Sequence, residues 1–202
     1  MTHIRKKVYI VHGYQASTLD HWFPWLSRKI KQAGHDAKRI MLDRPMEPDP
    51  ERWLASLKAQ IPKLDRDTIL VTHNLSCLSV LKLLEQHYAE HKTAIAAGIF
   101  VAGFKDPIIA LSELNRFIRG TRLDFKKINP AMKQSMVFFS SNDPYVPAPL
   151  SLKLAQLLGA HMFEIRQAGH FMKRDGYDHF DELWDAIELC LSSDAGKMTE
   201  AL

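Results

Sequence analysis

At 202 residues, with 46% hydrophobic and 25% charged, the chain has the size and balance of one globular domain with a sizeable core. The formal net charge of +4, from 27 basic against 23 acidic residues, is too small and too evenly spread to indicate a nucleic-acid partner. No run reaches the roughly 18 apolar residues of a membrane helix, and no apolar segment follows the charged start of the chain, so we expect a cytoplasmic protein that spans no membrane.

The N-terminal half alternates apolar strands with amphipathic helices. Residues 7–12 are β-branched and aromatic and predict a buried first strand that ends before Gly13. After a turn, Asp20 is a good N-cap for a helix that carries apolar residues at helical spacing and ends at Gly34. Further strands are predicted over 37–42, 67–72 and 95–104, and further helices over 52–61 and 75–88.

The C-terminal half continues this alternation after one interruption. Between 106 and 129 the pattern weakens to a helix around 111–118 and a polar stretch, which we interpret as an insertion that covers the site. Strands are then predicted over 135–141 and 161–165, and helices over 149–158 and 180–191. The tail over 192–202 has little to bury and is expected to be loose. Such alternation is typical of a mostly parallel sheet, here of about six strands, with helices on both faces of a single α/β domain over 1–191.

The stretch over 70–78 joins an apolar strand end, a tight turn and an apolar helix. This turn resembles the nucleophile elbow G-x-S-x-G of α/β-hydrolases, in which a strained turn lifts a serine above the sheet. Both glycines and the serine are replaced, because the five positions are Thr72, His73, Asn74, Leu75 and Ser76. Since all three signature positions differ, natural drift is favoured over a single inactivating substitution.

Two polar residues follow later strands, where a catalytic acid and base would lie. Asp143 comes two residues after the strand that ends at Ser141, and His170 follows the strand that ends at Ile165. Each alone is more typical of an ordinary turn or surface residue. Together, in the chain order nucleophile, acid, histidine and each at a strand's carboxyl end, they predict the acid and base of an acyl-transfer site.

Several motifs together resemble the small serine-hydrolase family of the YdeN and retinoblastoma-binding protein nine type. They are Val11–Ser17, His21–Leu26, Thr72–Cys77, Ser141–Pro147 and Ala168–Phe171. The resemblance implies a single-domain α/β-hydrolase with a Ser-Asp-His triad, acting on small esters or peptides. It also implies that Asp143 is the triad acid, His170 the base and Asn74 the residue at the nucleophile's position. Oxyanion donors would be the backbone N–H of Leu75 and one from Tyr14 or Gln15.

Asparagine at position 74 is compatible with the expected fold but not with the expected serine-hydrolase activity. Its amide cannot form an acyl-enzyme as a serine does, although asparagine tolerates the positive φ of an elbow better than most residues. Ser76 and Cys77, in the first turn of the following helix, are alternative nucleophiles, but their side chains are expected to point away from His170. We expect Cys77 to be a buried apolar residue and His73 to be a packing residue beside the elbow.

Three functions therefore stay open. The first is a degenerate pocket that binds an ester, acid or peptide terminus without efficient turnover. The second is a working hydrolase that uses another nucleophile or a water activated by His170. The third is a protein-binding module that uses the insertion over 106–129. No cofactor or metal is expected, since Cys77 and Cys190 show no metal-ligand spacing, and the basic residues over 116–127 are more typical of a solvated face than of a nucleic-acid surface.

Overall fold

The computed structural model of this chain describes residues 4–192 and contains a six-stranded sheet in the order β2-β1-β3-β4-β5-β6. Every neighbouring pair of strands is parallel. The strands are Lys7–Val11 (β1), Asp36–Ile40 (β2), Thr68–His73 (β3), Ile95–Val101 (β4), Met132–Ser140 (β5) and His161–Ile165 (β6). The predicted parallel sheet of about six strands is confirmed.

Helices cover both faces of this sheet, as predicted. They are Phe23–Gln32 (α1), Pro50–Gln60 (α2), Ser76–His91 (α3), Asn115–Gly120 (α4), Phe125–Ile128 (α5), Ala148–Leu158 (α6) and Asp181–Ser192 (α7). The apolar residues of α1 and α7 form one buried cluster with the sheet, and those of α2 to α6 form the other. The core therefore lies in two layers, one on each face.

The central strand β3 positions the site. All six of its residues are buried, because β1 and β4 flank it and helices cover both of its faces. The helix α3 follows it after a two-residue turn, and its first six residues are buried as well. A strand this deeply packed holds its carboxyl end rigidly, which suits a residue that must lie at a fixed point.

Several predicted boundaries differ from the structure by a few residues, and three of the differences concern the ends of α1, β4 and α7. Asp20 is not the N-cap of α1: the helix begins at Phe23, and the Asp20 carboxylate instead accepts the backbone N–H of Ser17 at 2.7 Å. Strand β4 ends at Val101, not at 104, because Ala102 turns to a left-handed φ of +48° and donates its N–H to Phe138 O. Helix α7 includes Ser192, and the rest of the predicted loose tail lies outside the described residues.

The segment over 106–129 contains less helix at its start than predicted. A 3₁₀ turn over Ser112–Leu114 precedes α4 where a helix was predicted over 111–118. Phe117 anchors α4, since its ring packs 5.1 Å from the ring of Trp53 on α2. Whether this segment is an insertion in a single domain stays a prediction.

Among residues 4–192, no helix is long and apolar enough to cross a membrane. The cytoplasmic location stays a prediction.

Candidate active site

The turn after β3 places Asn74 at the carboxyl edge of the sheet. Its backbone has a left-handed φ of +57°, which confirms the expected elbow conformation, and its N–H donates to Val101 O at 3.0 Å. The turn packs directly on Gly13, where a Cβ atom would lie 2.6 Å from His73 O and 2.9 Å from Asn74 Cβ. Only glycine fits at position 13, so the loop after β1 and the elbow support each other.

Polar side chains fill the positions of the two elbow glycines. Thr72 and Ser76 are fully buried. Ser76 Oγ lies 3.0 Å from His73 O and 3.2 Å from Val11 O, and Thr72 Oγ1 lies 3.4 Å from Ile99 O. The Ser76 hydroxyl is thus bonded to backbone carbonyls on the strand side, as expected for a side chain that points away from His170.

The turn after β5 presents the Asp143 carboxylate to His170. Asp143 Oδ2 lies 2.6 Å from His170 Nδ1, and both side chains are at most 2% exposed. The other carboxylate oxygen, Oδ1, accepts the backbone N–H groups of Tyr145 at 2.8 Å and Val146 at 2.9 Å. These donors hold the carboxylate in place, so it can orient the imidazole as the acid of a triad does.

A tightly wound loop after β6 holds His170. Gln167, Gly169 and Phe171 all have left-handed φ values between +55° and +56°. Asp175 ties the loop together, because its Oδ2 accepts the N–H groups of His170 at 3.0 Å and Met172 at 3.1 Å. A Cβ at position 169 would lie 2.6 Å from Asp175 Cγ. Sequence reasoning missed Asp175, since nothing in the pattern after His170 marks a carboxylate that returns to this backbone.

The Asn74 side chain fills the space between His170 and the backbone N–H of Leu75, the predicted oxyanion donor. Its Oδ1 lies 2.6 Å from the backbone N of Leu75, and its Nδ2 lies 2.9 Å from His170 Nε2. Because the Leu75 N–H can only donate, the oxygen must face it, and the NH₂ group then donates to Nε2. His170 therefore carries its ring proton on Nδ1, toward Asp143. One amide therefore contacts both the predicted base and the predicted oxyanion donor.

The second oxyanion donor was predicted to come from Tyr14 or Gln15, and one of these two backbone N–H groups is already bonded elsewhere. Gln15 donates its backbone N–H to Pro45 O at 3.1 Å, so it does not serve as a donor. Its side chain turns to Tyr14, with Nε2 3.0 Å from the phenol oxygen. Both residues line the cavity at Asn74, and an oxyanion contact from Tyr14 stays a prediction.

A cavity of about 310 Å³ opens over Asn74 and His170. Leu111 brings the segment over 106–129 to its wall. Arg174 lies at the cavity with its Nη2 2.5 Å from Tyr145 Oη. Sequence reasoning missed part of this lining, namely Asp20, His21, Leu111, Tyr145, Met172 and Arg174. Of these, His21 and Tyr145 lay in motifs that could have marked them.

His73 confirms its expected role as a packing residue beside the elbow. Its ring lies 4.8 Å from the ring of His170, and its Nε2–H donates to His170 O at 2.9 Å. Burial, and then the nearby His170, hold the pKa of His73 well below the ordinary value. The His73 ring is therefore neutral and holds the backbone of His170 through this hydrogen bond.

Cys77 is not placed as a nucleophile. The residue is fully buried, with Sγ 3.1 Å from Phe104 O, and burial raises the pKa of its thiol to about 12. The expectation of a buried apolar cysteine is confirmed. Among residues 4–192 no three His, Cys, Asp or Glu side chains lie close enough together to hold a metal ion; that the protein uses no cofactor stays a prediction.

A larger cavity of about 860 Å³ lies elsewhere, between the end of α2 and the end of α3. It adjoins residues just before β3, such as Asp65, and so opens at the amino edge of the sheet, opposite Asn74. In parallel α/β sheets ligands bind outside the carboxyl ends of the strands. We therefore take the smaller cavity as the candidate active site.

Three features together define an α/β-hydrolase: a parallel sheet with helices on both faces, an elbow after its central strand, and an Asp-His pair after later strands. The chain belongs to the serine hydrolase family, whose model matches residues 8–189. It is 34% identical to YdeN of Bacillus subtilis over 182 residues, which cover 90% of this chain and 94% of YdeN. The solved structure of the B. subtilis ydeN gene product matches with a TM-score of 0.88 over 93% of this chain and 100% of that one. The serine hydrolase RBBP9 of Rattus norvegicus is 19% identical over 158 residues, 78% of this chain and 81% of RBBP9.

Proposed function

We propose that this family member is a pseudoenzyme: it binds the acyl or carboxyl group of a small ester, acid or peptide terminus in the cavity at Asn74 and His170, and turns it over weakly or not at all. The observation that carries the proposal is the Asn74 amide, bonded at once to the Leu75 N–H and to His170 Nε2. Turnover needs both groups free and a nucleophile between them.

The two other candidate nucleophiles near the elbow are not placed to react, which supports the proposal of weak or absent turnover. Ser76 bonds to strand carbonyls, and Cys77 is buried with a thiol pKa of about 12. Neither side chain meets His170. An asparagine amide does not replace them, because its nitrogen is not basic and its oxygen carries no proton for His170 to remove.

The cavity itself supports the ligand class. Its volume of about 310 Å³ suits a small molecule or the end of a peptide. The Asn74 amide can donate and accept hydrogen bonds, and the Arg174 guanidinium at the cavity is a natural partner for a carboxylate. Asp20, also at the cavity, already accepts the Ser17 N–H.

The test compares purified native protein with Asn74→Ser and His170→Ala. Hydrolysis of p-nitrophenyl acetate and butyrate measures turnover, and a thermal shift with butyrate measures binding. The proposal expects a silent native protein that butyrate still stabilises, and turnover only in Asn74→Ser. Native turnover that disappears in His170→Ala would contradict it.

A working hydrolase without a side-chain nucleophile is the second candidate. The observation that favours it is the pair of Asp143 and His170, joined at 2.6 Å, with His170 in the lining of the cavity. Such an imidazole can remove a proton from water once a ligand displaces the Asn74 amide. Ester turnover in native protein that yields no covalent enzyme intermediate, and that Asn74→Ala retains, would support this function over the first.

The third candidate is a protein-binding module on the segment over 106–129. Ile109 favours it, because 97% of this large apolar side chain is exposed. Arg116 and Arg119 are exposed on the same segment. Loss of a partner protein on replacing both arginines with alanine, with ester turnover unchanged, would support this candidate, and a partner retained by that variant would count against it.

A further inference from the structure

We propose that this chain hydrolyses its own Asn74 side chain, so that residue 74 matures slowly from asparagine to aspartate. The site holds the Asn74 amide as an acyl-transfer enzyme holds a substrate. Asp143, His170 and the Leu75 N–H then act on residue 74 itself.

The first feature is the polarised carbonyl. Asn74 Oδ1 lies 2.6 Å from the Leu75 backbone nitrogen and accepts its N–H. This is the donor that an oxyanion hole offers to the oxygen of a tetrahedral intermediate, and it comes from the residue after the nucleophile position. Negative charge that develops on Oδ1 when Cγ is attacked is therefore stabilised where it forms.

The second feature is the leaving group. Asn74 Nδ2 lies 2.9 Å from His170 Nε2, which is where a departing nitrogen needs a proton donor. The Asp143 carboxylate, 2.6 Å from Nδ1, stabilises the imidazolium that forms when Nε2 takes a proton. The imidazole that takes up the proton and the amide nitrogen that later receives it therefore already lie within hydrogen-bond distance of each other.

The third feature is room for the attacking water. Asn74 and His170 line the same cavity of about 310 Å³, several times the roughly 30 Å³ of one water. A water from this cavity that takes the place of Nδ2 as the donor to Nε2 lies beside Asn74 Cγ and can pass its proton to His170. The cavity opens to solvent, which supplies the water.

The reaction balances with water alone. His170 Nε2 takes one proton from a water, and the water oxygen bonds to Asn74 Cγ while charge collects on Oδ1. The Cγ–Nδ2 bond then breaks, and ammonia leaves with the proton that His170 returns. Residue 74 remains as an aspartic acid, which ionises, and His170 is regenerated.

This route differs from ordinary asparagine deamidation. The ordinary route begins with attack of the next backbone nitrogen on Cγ and gives a mixture of aspartate and isoaspartate. Here the Leu75 nitrogen directs its hydrogen at Oδ1 and lies at the start of the buried helix α3. Direct hydrolysis leaves the main chain untouched and gives aspartate alone.

Conversion would place a carboxylate in the cavity, where it would repel anionic ligands. The inference rests on the same residues as the proposed function but not on its success, since it needs no ester turnover. A silent native protein with a stable Asn74 would leave the proposed function standing and overturn this inference. Ester turnover by protein with intact Asn74 would overturn the proposed function alone.

The test is peptide mapping of native protein incubated at neutral pH. Trypsin releases residues 67–82, in which Asn74 is the only amide side chain, and residues 106–116, in which Asn115 is the only one. Asn115 is a matched internal control, because its Oδ1 also accepts a backbone N–H, from Ile108 at 3.1 Å, but it lies away from His170. We expect the 67–82 peptide to gain the mass of deamidation first, as aspartate, with one heavy oxygen when the water is heavy-oxygen water.

Two variants test the assignment of roles. His170→Gln and Asp143→Asn should slow conversion at residue 74 by about 100-fold or more, the contribution of general acid–base catalysis, while Asn115 converts at its native rate. Thermal melting checks that each variant is folded, and Asp143→Asn serves if His170→Gln is not. The inference is overturned if Asn74 stays intact, converts equally fast in the folded variants, or yields isoaspartate.

Discussion

Lowering the pH should destabilise this protein through His73, which the fold keeps neutral. The imidazole is 1% exposed, and its Nε2–H donates to His170 O. Among residues 4–192 its Nδ1 has no hydrogen-bond partner that could stabilise a second proton. Burial, and then His170, hold the folded-state pKa well below the ordinary value of 6.5. Because the unfolded chain takes up this proton near pH 6.5 and the folded chain does not, the stabilisation is present above that pH and is lost as the pH falls toward the folded pKa.

The size of the effect follows from one proton. Below pH 6.5 the free energy of unfolding should fall by about 1.4 kcal/mol per pH unit on account of His73. Urea unfolding of native protein and His73→Gln between about pH 5.5 and 7.5 measures this slope. The variant should lose that part of it, and above about pH 7.5 the difference between the two proteins should not change with pH. Equal slopes below pH 6.5 would refute the account of His73 as a buried neutral support.

Three further outcomes follow from the packing of the site. Gly13→Ala should cost about 1–3 kcal/mol in urea unfolding, because its Cβ would lie 2.6 Å from His73 O, whereas the control Gly120→Ala meets only Pro50 Cγ at 3.8 Å; equal costs would contradict the close approach at the elbow. Cys77, with a pKa of about 12, should resist iodoacetamide at pH 8 until the protein is unfolded, and labelling of folded protein would show that the thiol is accessible. Arg174→Ala should weaken butyrate binding about tenfold, by the roughly 1.5 kcal/mol of a charge-assisted hydrogen bond, and unchanged binding would remove the guanidinium from the ligand site.

Much of the fold could be predicted from the sequence because the pattern is local. Buried parallel strands are continuous apolar runs, and β3, which carries the site, is buried at all six positions. The start of α1 was harder to predict. Asp20 has the side chain of a good N-cap, but its carboxylate accepts the backbone N–H of Ser17 instead. Strand β4 ends at a left-handed turn at Ala102, and an alanine in the sequence does not indicate that conformation.

The site was predictable in its parts but not in its contacts. Asp143 and His170 follow strands in the expected order, and the structure brings them to 2.6 Å. The contact between Asn74 and His170 joins residues 96 positions apart, so no local pattern could show that one amide meets both the base and the Leu75 N–H. Asp175 holds the histidine loop by accepting backbone N–H groups. Any residue type supplies such groups, so the sequence does not show which loop Asp175 would bind.

The most direct measurement is fluorophosphonate labelling of native protein and Asn74→Ser, followed by mapping of the 67–82 peptide. A complete triad supplies about 10⁶-fold. Gln15 donates to Pro45 O and a contact from Tyr14 is a prediction, so we count the Leu75 N–H as the one oxyanion donor, and a missing second donor removes about 10²- to 10³-fold. Asn74→Ser should therefore label at residue 74 and gain about 10³- to 10⁴-fold in ester hydrolysis over native protein. Labelling of native protein, or a folded Asn74→Ser that stays unlabelled, would contradict the account of an intact acid, base and oxyanion donor occupied by an asparagine.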